Sequence, residues 1–133
     1  MWASFKFHQI KSPSFGMIYR PYALVFLKSK DGADWVPVEM VVDTGADYTI
    51  LPKKYLPILG YDAAIDCEPE ITYGVGGPET VYLLRKIRVK LDKWEKDIPV
   101  GFLERDDVPA LFGRHMFMEL MKTTFAKHVV MFE

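Results

Sequence analysis

The chain has 133 residues, half of them hydrophobic, and a formal net charge of −1. Its length fits one domain, 1–133, with enough apolar material for a core, and its balanced charge leaves no electrostatic footprint for nucleic acid or an anionic membrane surface. The single cysteine, Cys67, excludes an internal disulfide, and without a positive cluster nearby it is expected to be a small, partly buried side chain.

The segment from Met1 to Lys11 alternates apolar and polar residues instead of forming a signal-peptide apolar run. No segment approaches the roughly 18 consecutive apolar residues of a membrane span. The expectation is a soluble, cytoplasmic protein. Phe5, Phe7 and Ile10 predict a first strand, broken by Lys11-Ser12-Pro13-Ser14. Tyr22 to Leu27 is a dense strand-forming run ended by Lys30-Asp31-Gly32, and Trp35 to Val42 is its hairpin partner, with Pro37 near the start. Pro52 to Leu56 suits a short helical turn limited by Pro57.

Glu68 to Tyr73 and Thr80 to Leu91 predict two more strands around the glycine-rich tip Gly74-Val75-Gly76-Gly77-Pro78. In the second, Arg85, Lys86, Arg88 and Lys90 read as a solvated basic edge that protects the sheet. Ile98 to Leu103 and Ala110 to Phe112 are short apolar runs. Arg114 to Lys122 has helical spacing, with Met118, Leu120 and Met121 as core filler. His128 to Phe132 closes as a strand. Many short strands and one helix define an all-β fold with a small helical addition.

Chemistry concentrates in Val41-Val42-Asp43-Thr44-Gly45-Ala46-Asp47-Tyr48-Thr49-Ile50. An apolar strand delivers a carboxylate to a tight Thr-Gly turn, and a second apolar run follows. A bare Asp-Ser/Thr-Gly triplet arises by chance in roughly one chain in twenty of this length, so its surroundings decide. The glycine-rich tip supplies neither a phosphate-cradling Gly-x-x-x-x-Gly-Lys-Ser/Thr pattern nor a dinucleotide fingerprint. His8, His115 and His128 are too widely separated for metal spacing, so no metal is expected. No Gly-x-Ser-x-Gly or Cys-His arrangement is present.

With its apolar pair, Asp-Thr-Gly-Ala and the following Thr49 and Ile50, the segment resembles the retropepsin-like (retroviral-type) aspartic peptidases. Tyr73-Gly74-Val75-Gly76-Gly77 resembles the family's flap, and Leu111-Phe112-Gly113-Arg114 its third landmark, in the right order from about Arg20 onward. The resemblance implies a small closed β-barrel with a flap hairpin and one short C-terminal helix, active as a two-fold dimer on extended peptide, without a cofactor. It implies catalytic roles for Asp43, Thr44 and Gly45. It also implies substrate contacts from Ala46, Asp47, Ile50, Tyr73, Gly74, Val75, Gly76, Gly77 and Leu111. Asp47 is implied to pair with Arg114, and Arg20 to reach the counterpart of Asp47 across the dimer. Terminal strands are implied to interleave into a dimer sheet. Tyr73 is more like the flap tyrosine of the two-lobed pepsin-like relatives.

Only one Asp-Thr/Ser-Gly triplet occurs in the chain, so a two-carboxylate site can be completed only by two-fold pairing, the isologous arrangement favoured in oligomers. Two other readings stay open at this stage. One is a retropepsin-like fold kept as a peptide-binding or dimerisation module without hydrolysis. The other is an unrelated small β-barrel.

Overall fold

Alternation sets the core. In Tyr22–Lys28 every second residue, Ala23, Val25 and Leu27, is fully buried while its neighbours are only partly covered, the signature of a strand with one face inward. The computed structural model describes residues 3–133; Met1 and Trp2, part of the alternation read at the start, lie outside them. Its strands are β1 (Ala3–Lys6), β2 (His8–Ser12), β3 (Gly16–Arg20), β4 (Tyr22–Lys28), β5 (Trp35–Val42), β6 (Thr49–Pro52), β7 (Glu68–Gly74), β8 (Gly77–Leu91), β9 (Trp94–Leu103), β10 (Ala110–Phe112), β11 (Thr123–Ala126) and β12 (Val129–Phe132). Two short helices, α1 (Tyr55–Leu59) and α2 (Ala63–Asp66), and a 3-10 turn, Met118–Leu120, complete the order.

The main sheet runs β4-β5-β10-β6-β9-β8-β7, and an additional β4–β8 pairing joins its ends into a ring of hydrogen-bonded strands. This agrees with the all-β, closed architecture expected from the sequence. Val25, Leu27, Met40, Leu51, Ile98, Phe102 and Phe112 are buried at 1% exposure or less. At about 1.5–3 kcal/mol for each large apolar side chain, they dominate the cohesion of the domain.

Strand β8 corrects one expectation. It is not an edge: β9 lies on one side and β7 and β4 on the other. Its basic residues face outward into cross-strand ion pairs, Arg85 with Glu68 at 2.7 Å and Arg88 with Asp97 at 3.5 Å. A register shift between Leu84 and Ile87 resets the alternation, so Leu84 is buried in addition to Val81, Ile87, Val89 and Leu91.

The ends of the chain form a separate sheet, β1-β12-β11. Within the chain these strands pair with one another. Ala3 pairs with Phe132 in the same chain, and the other edge of β12 is occupied by β11. Both edges of β12 are thus hydrogen-bonded within the chain, and the outer edges of this sheet are β1 and β11. Phe132 stacks on Phe112 (ring centroids 5.4 Å apart), and Phe112 on Phe117 (3.9 Å), fixing this sheet to the end of β10.

The predicted strand Phe5–Ile10 divides at Phe7 into β1 and β2, and β2 pairs with β3 in a two-stranded hairpin. Such hairpins are marginal alone. This one is held by two stacked pairs, His8 on Tyr22 at 4.2 Å and Tyr19 on His128 at 3.9 Å.

The C-terminal helix expected over Arg114 to Lys122 reduces to the 3-10 turn Met118–Leu120. Met116 has a φ of 55°, which interrupts a right-handed helix. The helical turn expected over Pro52 to Leu56 starts later: Pro52 ends β6, and α1 carries Pro57 in its first turn, where a missing N–H costs nothing. Gly60 stops α1 in the left-handed conformation, φ 84°.

Candidate active site

Three strands converge on Asp43. Strand β10 lies between β5 and β6, parallel to β5 (Phe112 opposite Val42) and antiparallel to β6 (Leu111 opposite Ile50). The loop joining β5 to β6 therefore has to cross the end of β10. That loop is Asp43 to Tyr48, the segment singled out in the sequence.

Hydrogen bonds fix it at both ends. The Asp43 N–H donates to the Phe112 carbonyl at 3.0 Å, and the Ala46 N–H to the Asp43 carbonyl at 3.2 Å. The Gly45 N–H donates to Asp43 Oδ1 at 2.9 Å, so the turn's own backbone orients the carboxylate. On the far side Arg114 and His115 donate their N–H groups to the Ala46 and Asp47 carbonyls at 3.0 and 2.8 Å. The buried Thr49 hydroxyl accepts from the Gly113 N–H at 3.1 Å. A Cβ on Gly113 would lie 2.3 Å from the Tyr48 carbonyl carbon and oxygen. Glycine there is a packing requirement: the two loops touch backbone to backbone.

The side chains follow. Asp43 is half-buried and Thr44 exposed; among the described residues the Thr44 hydroxyl has no partner. Arg114 Nη2 donates to Asp47 Oδ1 at 2.6 Å, so the pair expected from the sequence is present within one chain. Both members are substantially exposed, which makes this a positioning contact more than a source of stability. Arg20 ends β3 and does not join that pair in the same chain.

A cavity of about 340 Å³ opens above the loop. Its floor is Asp43, Gly45, Ala46, Asp47 and Ile50, with Leu111 beside them; its roof is the β7–β8 hairpin, Thr72 to Gly77. It thus gathers every residue expected to contact substrate: Ala46, Asp47, Ile50, Tyr73, Gly74, Val75, Gly76, Gly77 and Leu111. Tyr73 and Val75 are 79% and 111% exposed, so the roof has free space around it. Five further lining residues, Tyr48, Thr72, Glu79, Leu103 and Val108, were missed by the sequence reading. Tyr48 and Thr72 adjoin predicted residues and could have been found by adjacency. Glu79, Leu103 and Val108 reach the cavity only through the β8–β9 pairing and the loop after β9.

The floor carries two carboxylates, Asp43 and Asp47, the second paired with Arg114. Burial raises the Tyr48 phenol above its ordinary range, and the neighbouring Glu70 carboxylate adds to the effect. No group of histidine, cysteine, aspartate or glutamate among the described residues could hold a metal ion. Cys67 is half-buried and its thiol is pushed up by burial, the unreactive state expected of it. No helix among the described residues is long and apolar enough to cross a membrane.

The retroviral aspartyl protease family profile matches residues 18–124. The chain belongs to that family. Among solved structures, a retropepsin-like aspartic protease from Rickettsia conorii is 20% identical, with 96% of this chain and 97% of that one covered and a TM-score of 0.64. The EIAV protease, in complex with the inhibitor HBY-793, is 21% identical over 76% of this chain and 88% of its own, with a TM-score of 0.56. At such identity these neighbours speak to the fold. No curated protein matches the chain.

Proposed function

We propose that the chain is an aspartic endopeptidase that acts as a homodimer on extended peptide segments, without metal or organic cofactor. The observation that carries this is the single Asp43, presented on the Asp-Thr-Gly turn at the floor of a cavity roofed by a glycine-rich hairpin. In a two-fold pair Asp43 faces its copy across one water. Two carboxylates about 3 Å apart cannot both ionise, so they share a proton. Sharing one proton between two aspartates is the behaviour of aspartic proteases as a class. The ionised member takes a proton from the water as it attacks the scissile carbonyl. The protonated member donates to the carbonyl oxygen, and the resulting diol collapses as the leaving amine is protonated.

The rest of the site has matching roles. The exposed Thr44 hydroxyl is free to bond across the centre to the copy. The backbone of Gly74 to Gly77 serves as a flap, pairing with an extended substrate and excluding water on closure. Ala46, Ile50 and Leu111 offer apolar pockets, and Asp47, held by Arg114, takes the substrate backbone. Arg20 is assigned to the interface with the copy.

The test is cleavage of a peptide library at mildly acidic pH, wild type against Asp43→Asn. Products from the wild type alone are expected. Equal products from both would remove Asp43 from the chemistry. Sedimentation supplies the second half: a protein that stays monomeric at high concentration has no second carboxylate, and the mechanism would have to be abandoned.

A further inference from the structure

The β7–β8 hairpin leaves the ring at a definite point. β8 is paired with β9 as far as Val81 opposite Leu103, and the Glu104 N–H donates to the Thr80 carbonyl at 3.2 Å. Beyond Thr80 the strand has only β7 beside it, through Thr72–Glu79, Tyr73–Pro78 and Gly74–Gly77. At the tip nothing lies within 4 Å of a Cβ built on Gly74, Gly76 or Gly77. A two-stranded ribbon of this kind is weakly held by its own ladder.

One side chain grips it from outside. Arg105, in the loop after β9, donates from Nη1 to Glu79 Oε1 at 2.7 Å. Its other edge is a fork on Asp107: Nε and Nη2 donate to the two carboxylate oxygens, each at 2.5 Å. Glu79 lines the cavity from the hairpin, and Val108, next to Asp107, lines it from the loop. A single guanidinium therefore joins the hairpin wall and the loop wall of the same cavity. A lone exposed ion pair holds little, but here a planar fork is seated bidentately on one carboxylate while a third N–H reaches the other, a geometry lysine cannot reproduce.

We propose that Arg105 is a clasp, a positioning residue that ties the return strand of the hairpin to the cavity wall and sets how readily the roof closes over a peptide. Its kinetic consequence rests on the peptidase reading; its mechanical consequence does not. With the clasp cut, the hairpin samples open positions more often. Substrate then pays to draw it down, so KM rises while the chemical step is unchanged.

The experiment has two arms on the full-length chain. Amide hydrogen exchange over residues 70–80 compares wild type, Arg105→Ala, Arg105→Lys and Glu79→Gln. Glu79→Gln removes the charge on the hairpin side alone, weakening the bond from Arg105 to that of a neutral acceptor, and leaves the Arg105–Asp107 fork whole, so it carries the test if Arg105→Ala loosens the whole fold. Faster exchange confined to the hairpin is expected for Arg105→Ala and Glu79→Gln, with Arg105→Lys in between. Raising salt from about 0.05 to 0.5 M should quicken wild-type exchange toward that of Arg105→Ala and leave Arg105→Ala unchanged. In the kinetic arm, KM for a cleaved peptide is expected to rise about two- to fivefold in Arg105→Ala, with kcat within about twofold. Unaltered exchange in both Arg105→Ala and Glu79→Gln would overturn the clasp. A wild type that cleaves nothing but shows clasp-dependent exchange would instead overturn the peptidase reading and leave the clasp standing.

Discussion

Replacing Gly113 by alanine tests the site architecture most directly. The new methyl would sit 2.3 Å from both the carbon and the oxygen of the Tyr48 carbonyl and 2.8 Å from the Thr49 nitrogen, where ordinary contact begins at 3.4 Å. All three atoms are backbone, so no rotamer change relieves the clash. The Asp43–Tyr48 loop and the Gly113 strand end must separate by about 1 Å. That separation also stretches the Thr49 hydroxyl bond to the Gly113 N–H, now 3.1 Å, and the Arg114–Ala46 backbone bond, now 3.0 Å. Overpacking costs about 1–3 kcal/mol, and a buried hydrogen bond lost with it about 1 kcal/mol more. A destabilisation of about 3 kcal/mol is therefore expected, which for a chain of this length lowers Tm by about 10 °C. Chemical denaturation with an unchanged m-value is the measurement. A Gly113→Ala protein within about 0.5 kcal/mol of wild type would show that the two loops do not touch as described.

Thr49 should separate hydroxyl from methyl: Thr49→Val leaves the Gly113 N–H buried without its acceptor, at about 1–3 kcal/mol, whereas Thr49→Ser keeps the bond and loses about 0.8 kcal/mol of methyl burial. Denaturant melts ranking Ser below Val would contradict the assignment. Acid should weaken the fold, because several carboxyls sit below their ordinary values: Asp107 through Arg105, Glu104 through Lys53, Glu68 through Arg85, and Asp31 and Asp66 chiefly through backbone N–H groups of Ala33 and Asp62. The native state then binds fewer protons than the unfolded one, so this stabilisation is complete above the ordinary values of 3.8 and 4.5 and is lost as pH falls through the depressed ones. Thermal melts should be flat above about pH 5 and decline below about pH 4; a Tm that climbs on acidification would refute the sign.

What could be read in advance follows the reach of each interaction. Strands β4, β5 and β10 and the hairpin around Gly74 to Gly77 are written in local alternation and glycine placement, and the structure has them close to the predicted places. Asp43, Asp47 and Arg114 were legible because a short motif fixes their neighbours. Strand β3 was not: Phe15, Met17 and Tyr19 remain exposed, so no buried face imposes a periodicity on it. β11 was hidden in the same way, with Phe125 and Ala126 exposed. The helix expected after Arg114 is overridden by the backbone bonds that Arg114 and His115 make to the Asp43–Tyr48 loop, which hold that segment to another element. The pairing of β1 with β12 joins the two ends of the chain, a contact that local pattern does not encode.

The placement of β10 between β5 and β6 has a consequence for how the protein comes into being. The Asp-Thr-Gly turn is synthesised early, yet its supports, Phe112, Gly113 and Arg114, lie 64 to 67 residues later for the bonds to Thr49 and Asp47. A nascent chain that has not yet released this segment carries the triplet without the distant bonds that anchor its loop. Closing so long a loop is a slow, late event in folding. The Gly45 N–H orients the carboxylate locally, but the loop that carries it is anchored to the sheet only once β10 has been made and has entered between β5 and β6.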